Sequence, residues 1–417
     1  MMKKEYHLSK NKKTKEELDN IYSLWQECFQ DSSDYMDFYF KHIIPKNQVL
    51  SLYDENEIIS MLHLNPYELS VMGKSLTVNY IVGVATKSSY RKRGLMRNLM
   101  EEAFHQMYQE KQSLTYLMPI AKEIYEPFDF SIVYEQEPWN YEMLKAPEML
   151  KVANMQNDPL VQKAPLLLKA PLVLGEDKDT GLNRFIDIEV INSETIISFE
   201  SMAQYKECLA RFANEELSKE YNVYIPRNKE YYDILLDEVL CCGGGFLILK
   251  QEDKIFGYVA YMFDDMFHIV ELICKDGYRE KLIREINNIY LKVNKEKSDN
   301  INKFKTTIMM RIIHLEEFIK NVTSNEKISF IVEVEDNILV ENNGVFLLEF
   351  DEDKGVIKRT GEKPQVKVNA KQLVELFFDR MNIEDMNSIV LAEDKNRIIK
   401  KLNKINKYNK VFINDIV

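Results

Sequence analysis

The sequence predicts an α+β/α/β chain of three domains, and three observations carry that prediction. A buried strand, a basic loop and an amphipathic helix follow one another between residues 82 and 107. A hairpin early in the chain is echoed by a second one near residue 250. Short alternating strands separated by Asp, Asn and Gly turns, followed by a helix, close the chain. A length of 417 residues also exceeds what a single hydrophobic core serves.

Taken in order, Lys15 to Phe29 has helical apolar spacing, with Leu18, Ile21, Tyr22, Trp25 and Phe29 on one face. Val49 to Tyr53 and Ile58 to Leu64, joined by the polar turn Asp54-Glu55-Asn56-Glu57, read as a hairpin. A turn at Met72-Gly73-Lys74 leads into the strand that ends at Val84-Ala85-Thr86. After the loop, Leu95, Met96, Leu99, Met100, Ala103, Phe104 and Met107 recur at helical spacing. Ser113 to Met118 is the next strand, and Pro119 ends it. The first domain therefore spans 1–150. Pro147, Pro159, Pro165 and Pro171 mark a connection, and a second unit, 151–295 with that connection, begins near Phe185. It offers a helix from Tyr231, a hairpin of Phe246–Lys250 with Ile255–Tyr261, a strand from Met266 to Cys274, and a helix from Tyr278 to Val293. The third segment, 296–417, starts with Thr307–Ile313 and a short helix around Leu315. Strands Ile328–Val334, Gly344–Phe350 and Val366–Val368 and a helix near Lys371 follow.

Composition bounds the function. Acidic side chains outnumber basic ones, 67 to 55, for a net charge of −12, which disfavours general nucleic-acid binding and suits a cationic partner. No apolar run approaches a spanning helix, and the N-terminus has charge but no apolar segment behind it, so no membrane role and no secretory signal is expected. Five scattered cysteines argue for reduced thiols in a cytoplasmic protein. Six scattered histidines show no paired ligand spacing, so no metal is expected. Cys241-Cys242-Gly243-Gly244-Gly245 reads as a turn at a helix end. Glu27 reads as a solvated glutamate and Trp25 as a core tryptophan, with the lining of an amine pocket as their alternative.

The basic loop carries the chemistry. Arg91 and Arg93 flank the turn, Gly94 lets the backbone approach a ligand, and the next N–H groups stand at the positive end of a helix, where a pyrophosphate fits. Arg91-Lys92-Arg93-Gly94 after a Val-Ala-Thr strand resembles the acetyl-CoA loop of the GNAT N-acetyltransferases, Arg/Gln-x-x-Gly-x-Gly/Ala. Met96 stands where the family usually has Gly or Ala, which is similar to its Eis-type (enhanced intracellular survival) branch. Ile124-Tyr125-Glu126-Pro127-Phe128-Asp129-Phe130 resembles the Ile-Tyr-x-x-Phe-Gly-Phe segment of that branch, with Asp129 replacing Gly.

The resemblance implies tandem GNAT folds, the first active and the central one degenerate, followed by a sterol-carrier-like domain without an assigned lipid. It implies acetyl-CoA as co-substrate, held by Val84, Ala85, Thr86, Arg91, Lys92, Arg93, Gly94, Leu95, Met96 and Arg97. A primary amine of an aminoglycoside, a polyamine or a lysine side chain is the implied acceptor, attacking directly in a ternary complex. Acyl transfer from a thioester needs a neutral amine, a polarised carbonyl and a protonated leaving thiolate. Tyr125 is the implied acid toward sulfur. The apolar tail Val411–Val417 reads as a final strand on the third domain or as an end tucked into the structure; the resemblance implies that the carboxylate of Val417 is the general base and that the protein is a hexamer. A non-catalytic acyl-CoA or ligand-binding module on the same scaffold is the alternative, favoured if Asp129 distorts the loop presenting Tyr125.

Overall fold

Capping and spacing start the chain's first helices. A computed structural model describes residues 6–10, 12–29, 31–136, 172–173, 185–192, 199–251, 254–263, 267–293 and 306–414. After β1 (His7–Lys10), the side chains of Thr14 and Ser32 accept the N–H groups of Glu17 and Tyr35 and start α1 (Lys15–Cys28) and α2 (Ser33–His42). Of the predicted face of α1, Ile21 and Trp25 are buried and Leu18, Tyr22 and Phe29 half-buried, and Leu24 is buried beside them. α2 lies outside the elements predicted from periodicity; its buried face, Met36, Phe38 and Tyr39, is too short to stand out, and the Ser32 cap is its clearest signal.

Three long strands follow: β2 (Gln48–Asp54), β3 (Glu57–Val71) and β4 (Lys74–Thr86). β3 runs well past the predicted end at Leu64, straight through Pro66. The last β2 partner pairs with Leu64, so the missing Pro66 N–H falls where β2 has ended and breaks no bond to it. Next come α3 (Leu95–Gln109), β5 (Leu114–Leu117), α4 (Lys122–Tyr125) and β6 (Ser131–Gln136). The central unit contains β7 (Leu172–Val173), β8 (Phe185–Asn192), α5 (Phe199–Glu220), β9 (Val223–Tyr224), α6 (Lys229–Cys241), β10 (Gly245–Gln251), β11 (Lys254–Phe263), β12 (Phe267–Cys274) and α7 (Arg279–Val293). Most of the proline-marked connection lies outside the described residues.

The last segment opens with β13 (Thr306–Ile312) and α8 (Leu315–Ile319). Then come β14 (Ile328–Glu335), β15 (Gly344–Phe350), β16 (Gly355–Arg359), β17 (Val366–Asn369), α9 (Ala370–Phe377), α10 (Ile383–Ile389), α11 (Lys395–Leu402) and β18 (Val411–Phe412).

The described residues form three sheets. The first runs β1-β2-β3-β4-β5-β13-β6, the second β12-β11-β10-β8-β7, and the third β16-β15-β14-β17. Sequence order puts β13 at the head of the third segment, yet its hydrogen bonds put it in the first sheet, antiparallel to both β5 and β6. The tail also returns to the first sheet: β18 lies parallel to β9, which pairs with β3 at Ser70 and Val71. One continuous core accordingly joins Leu62 and Met309 of the first sheet and Phe104 of α3 with Phe330, Phe377 and Ile413 of the last segment.

Candidate active site

β4 and β5 are parallel neighbours for only two residue pairs, Asn79 with Thr115 and Tyr80 with Tyr116. Beyond Tyr80, β4 stays bonded to β3 up to Ser60–Thr86 while β5 pairs with it no further. The two strands thus splay, and the backbone of residues 81–86 has one edge available to a ligand. A bulge sharpens the divergence: between the pairs His63–Val82 and Met61–Ala85, two residues of β4, Gly83 and Val84, oppose one of β3, Leu62. Gly83 sits in this bulge with φ of +60°, and a Cβ there would come within 2.8 Å of the Trp25 ring. Glycine is required on both counts. Trp25 is therefore a core residue that seats the bulge; its indole N–H donates to Asp31 at 2.7 Å.

The loop after β4 is tethered at several points. Ser88 donates through its N–H and its hydroxyl to Glu27, each at 3.0 Å. These bonds, the backbone one foremost, hold the Glu27 carboxyl below its usual range. Glu27 is exposed, as read from sequence, but it fixes the loop to α1. Tyr90 donates to Asp54 at 2.8 Å, Arg91 Nε to the Thr86 carbonyl at 3.1 Å, and Arg93 Nη2 to the Ser89 carbonyl at 2.9 Å, with Arg93 also over the Tyr90 ring. Arg91, Lys92, Arg93 and Arg97 are exposed. Gly94 takes φ of +80° at the helix N-cap with no side-chain cap. The first closed turn runs from Asn98 N–H to the Gly94 carbonyl at 3.1 Å, so the N–H groups of Leu95, Met96 and Arg97 precede it. Leu95 is buried and Met96 half-buried against the core. Four positive side chains around a bare helix N-terminus, beside an open strand edge, fit a pyrophosphate joined to an extended thioester arm.

Tyr125 ends α4, directly past β5. It is buried, meets Phe130 edge-on with centroids 6.2 Å apart, and its hydroxyl has no hydrogen-bond partner among the described residues. Burial pushes its phenol up to about 12, so it stays a proton donor at ordinary pH. Asp129 does not distort this loop: with φ of +62° it adopts the left-handed conformation a glycine would take. Arg311 of β13, fully buried, reaches Asp129 at 3.3 Å and grips Asp336 at 2.7 and 2.9 Å. The aspartate thus ties the Tyr125 loop to β13 and, through Arg311, to Asp336 just past the end of β14. No sequence signal pointed to Arg311, because its partners lie 182 and 25 residues away.

A cavity of 280 Å³ lies between β3, the end of α2 and α6. Tyr67 in its wall meets Tyr80 and Tyr116 edge-on at 6.2 Å, and those two rings stack at 4.9 Å as the last β4–β5 pair. The cavity and the splay therefore share one aromatic partition. Glu68, Glu230 and Glu238 contribute carboxylates to its lining and Lys46 a single ammonium. Asn414 lines it too. The tail is anchored there by a buried cluster in which Asn414 accepts from Arg227 at 2.7 Å and donates to Glu271 and to the Val270 carbonyl at 3.1 Å, while Arg227 pairs with Glu271. Val417 lies outside the described residues. Beneath the bulge, His63 Nδ1 meets the Tyr39 hydroxyl at 3.0 Å, and burial pulls the imidazole down to about 3, so it is neutral.

Comparison with known proteins identifies two domains in the chain. Residues 11–133 match the acetyltransferase (GNAT) domain and residues 315–413 the sterol carrier protein domain. The chain carries a GNAT acetyltransferase domain. With it the protein is an acyltransferase, and acetyl-CoA is the co-substrate that the GNAT domain implies. Solved structures similar to the GNAT-bearing chain include a probable N-acyltransferase from Enterococcus faecalis (16% identity, 97% of this chain and 98% of that one, TM-score 0.70). A GCN5-related N-acetyltransferase from Anabaena variabilis (13%, 99% and 100%, 0.68) and Eis1 from Mycobacterium abscessus (12%, 99% and 100%, 0.64) are similar over the same span. At these identities the likeness is one of fold. No curated protein sequence matches the chain. Among the described residues, no helix is long and apolar enough to cross a membrane and no cluster of His, Cys, Asp or Glu has the form of a metal site.

Proposed function

We propose that the protein transfers an acetyl group from acetyl-CoA to a primary amine of a small cationic acceptor or a lysine side chain. The observation that carries this reading is the shared Tyr67–Tyr80–Tyr116 partition, which brings an acid-lined cavity against the end of the splayed strands. Arg91, Lys92, Arg93, Arg97 and the N–H groups of Leu95 and Met96, with Gly94 admitting close approach, hold the pyrophosphate. The free edge of Val84, Ala85 and Thr86 receives the acyl arm and polarises its carbonyl through a backbone N–H. Carboxylates of the cavity draw the ammonium in, and a carboxylate then takes its proton as nitrogen attacks. We assign that base to the carboxylate of Val417, supported by the anchoring of Asn414 in the cavity wall. Tyr125 protonates the departing sulfur. The amine attacks directly in a ternary complex, with no acyl-enzyme.

Hexameric assembly and a cytoplasmic location accompany this reading through the resemblance to Eis-type enzymes. The test is thiol release from acetyl-CoA against polyamines, aminoglycosides and lysine peptides, comparing the intact chain with Tyr125→Phe and with a deletion of Val417. A sharp loss of turnover in both variants supports the assigned acid and base. Tight acetyl-CoA binding with no thiol release for any amine overturns the acceptor class.

A further inference from the structure

A general acid must stand within hydrogen-bond reach of the departing atom, and a misplacement of about 1 Å costs about a hundredfold in rate. Tyr125 gets no placement from its own hydroxyl, which has no hydrogen-bond partner among the described residues. Its position is set by the edge-on contact with Phe130 and by the chain that follows it. The last segment grips that chain at four points. Lys371 of α9 reaches Glu126 at 3.5 Å, Arg311 of β13 reaches Asp129 at 3.3 Å, the Ser131 hydroxyl donates to Glu375 of α9 at 3.1 Å, and Arg380 donates to the Val133 carbonyl.

Arg311 is the fully buried member of the four. Its guanidinium lies over the Phe104 ring at 5.0 Å, and Phe104 meets Phe128 and Phe130 with centroids 6.3 and 6.0 Å apart. It therefore borders the Tyr125 loop twice, through the Asp129 carboxylate and through the aromatic group on which the Tyr125 ring rests. The charge of Arg311 is already met by both oxygens of Asp336. Burial pushes the Asp129 carboxyl up against the pull of the guanidinium. A second carboxylate on a guanidinium already paired adds little stability, because desolvation offsets much of the attraction. What it adds is a fixed distance between β13 and the loop. We propose that Arg311 is a positioning residue for acyl transfer, holding Asp129 so that the Tyr125 hydroxyl meets the departing sulfur. This inference rests on Tyr125 being the acid.

The test is a double-mutant cycle on the full-length protein, read as thiol release and as acetyl-CoA affinity by calorimetry. Asp129→Gly accepts the left-handed backbone, leaves the Arg311–Asp336 pair intact and cuts the tie to the loop. It should lower kcat about tenfold or more with the acetyl-CoA Kd unchanged. Asp129→Asn keeps an oxygen that accepts from Arg311 and should recover most of that rate. Residues that act through one group are not additive, so Asp129→Gly should cost nothing further in a chain that already carries Tyr125→Phe. Arg311→Lys keeps a charge for Asp336 but lacks the fork that reaches two carboxylates, and should lower kcat as Asp129→Gly does; should it fail to fold, the Asp129 variants decide. Native kcat in Asp129→Gly would overturn the positioning role and leave Tyr125 as the acid. A loss that multiplies with that of Tyr125→Phe would overturn it too, because a merely structural contact behaves so. No loss in Tyr125→Phe alone would remove the acid and the positioning role together.

Discussion

Two strand–turn–helix units in this chain differ in ways that define a cofactor seat. In the first, β4 leads through residues 87–94 to α3; in the second, β12 leads through residues 275–278 to α7. Both put a left-handed glycine just ahead of the helix, Gly94 at φ +80° and Gly277 at φ +82°. Here the likeness ends. The first loop carries Arg91, Lys92 and Arg93, whereas the second carries Lys275 beside Asp276. β4 lies between β3 and β5 and parts from β5, while β12 is the edge strand of its sheet and pairs only with β11 among the described residues. A splay needs a strand on either side of the gap, and among the described residues β12 has a neighbour on one side alone. The glycine and the helix terminus are common stock; loop length, charge and a diverging neighbour separate a binding seat from a plain turn.

Replacing Tyr125 by Phe tests whether the first unit does chemistry or only binds. We expect kcat to fall about 10²- to 10⁴-fold, the usual worth of a positioned acid, with acetyl-CoA affinity intact. Because burial raises this phenol to about 12, kcat of the native protein should show no alkaline fall from loss of this proton until the pH nears that value. Next in size, Arg91→Ala should weaken acetyl-CoA binding about 10- to 100-fold by calorimetry, since one charge-assisted bond to phosphate contributes about 1.5–3 kcal/mol. Lys275→Ala should leave that affinity unchanged, and an equal loss there would break the comparison.

The two glycines give a closer contrast. Gly94→Val and Gly277→Val should each cost about 1–2 kcal/mol, because a side chain is forced into the left-handed region, seen as a lower midpoint in denaturant. Only the first should also raise the acetyl-CoA Kd. Smallest of all, Asp129→Gly should be less destabilising than Asp129→Ala by about 1 kcal/mol. Alanine keeps the backbone strain and loses the Arg311 contact, whereas glycine loses the contact alone.

Local rules made much of this legible in advance. The apolar stripe of α3, the basic loop and the repeated hairpin all express themselves within a few neighbouring residues. The motif around Tyr125 is short, so its place after β5 needed no distant contacts to read. The cavity was not, since Asn47, Asn65, Tyr231 and Asn414 come from four separate segments, and only tertiary packing brings them together. Pro66 concealed the second half of β3 because a proline is tolerated there only by virtue of where β2 stops. The placement of β13 was equally hidden: its buried run from Ile308 to Ile312 suits either sheet, and the choice rests on Arg311 and the backbone edges of β5 and β6.

That placement of β13 has a bearing on how the protein is made. A ribosome delivers β5 and β6 early, but the strand that belongs between them emerges only after the entire central unit. Until then the nascent acetyltransferase domain has two unzipped edges at its centre, the kind of exposure that invites mispairing and chaperone attention. Closing them is a long-range event, slow by its topology. The sheet that seats acetyl-CoA therefore reaches its final form late in synthesis, and a prematurely terminated chain lacks the strand that completes it.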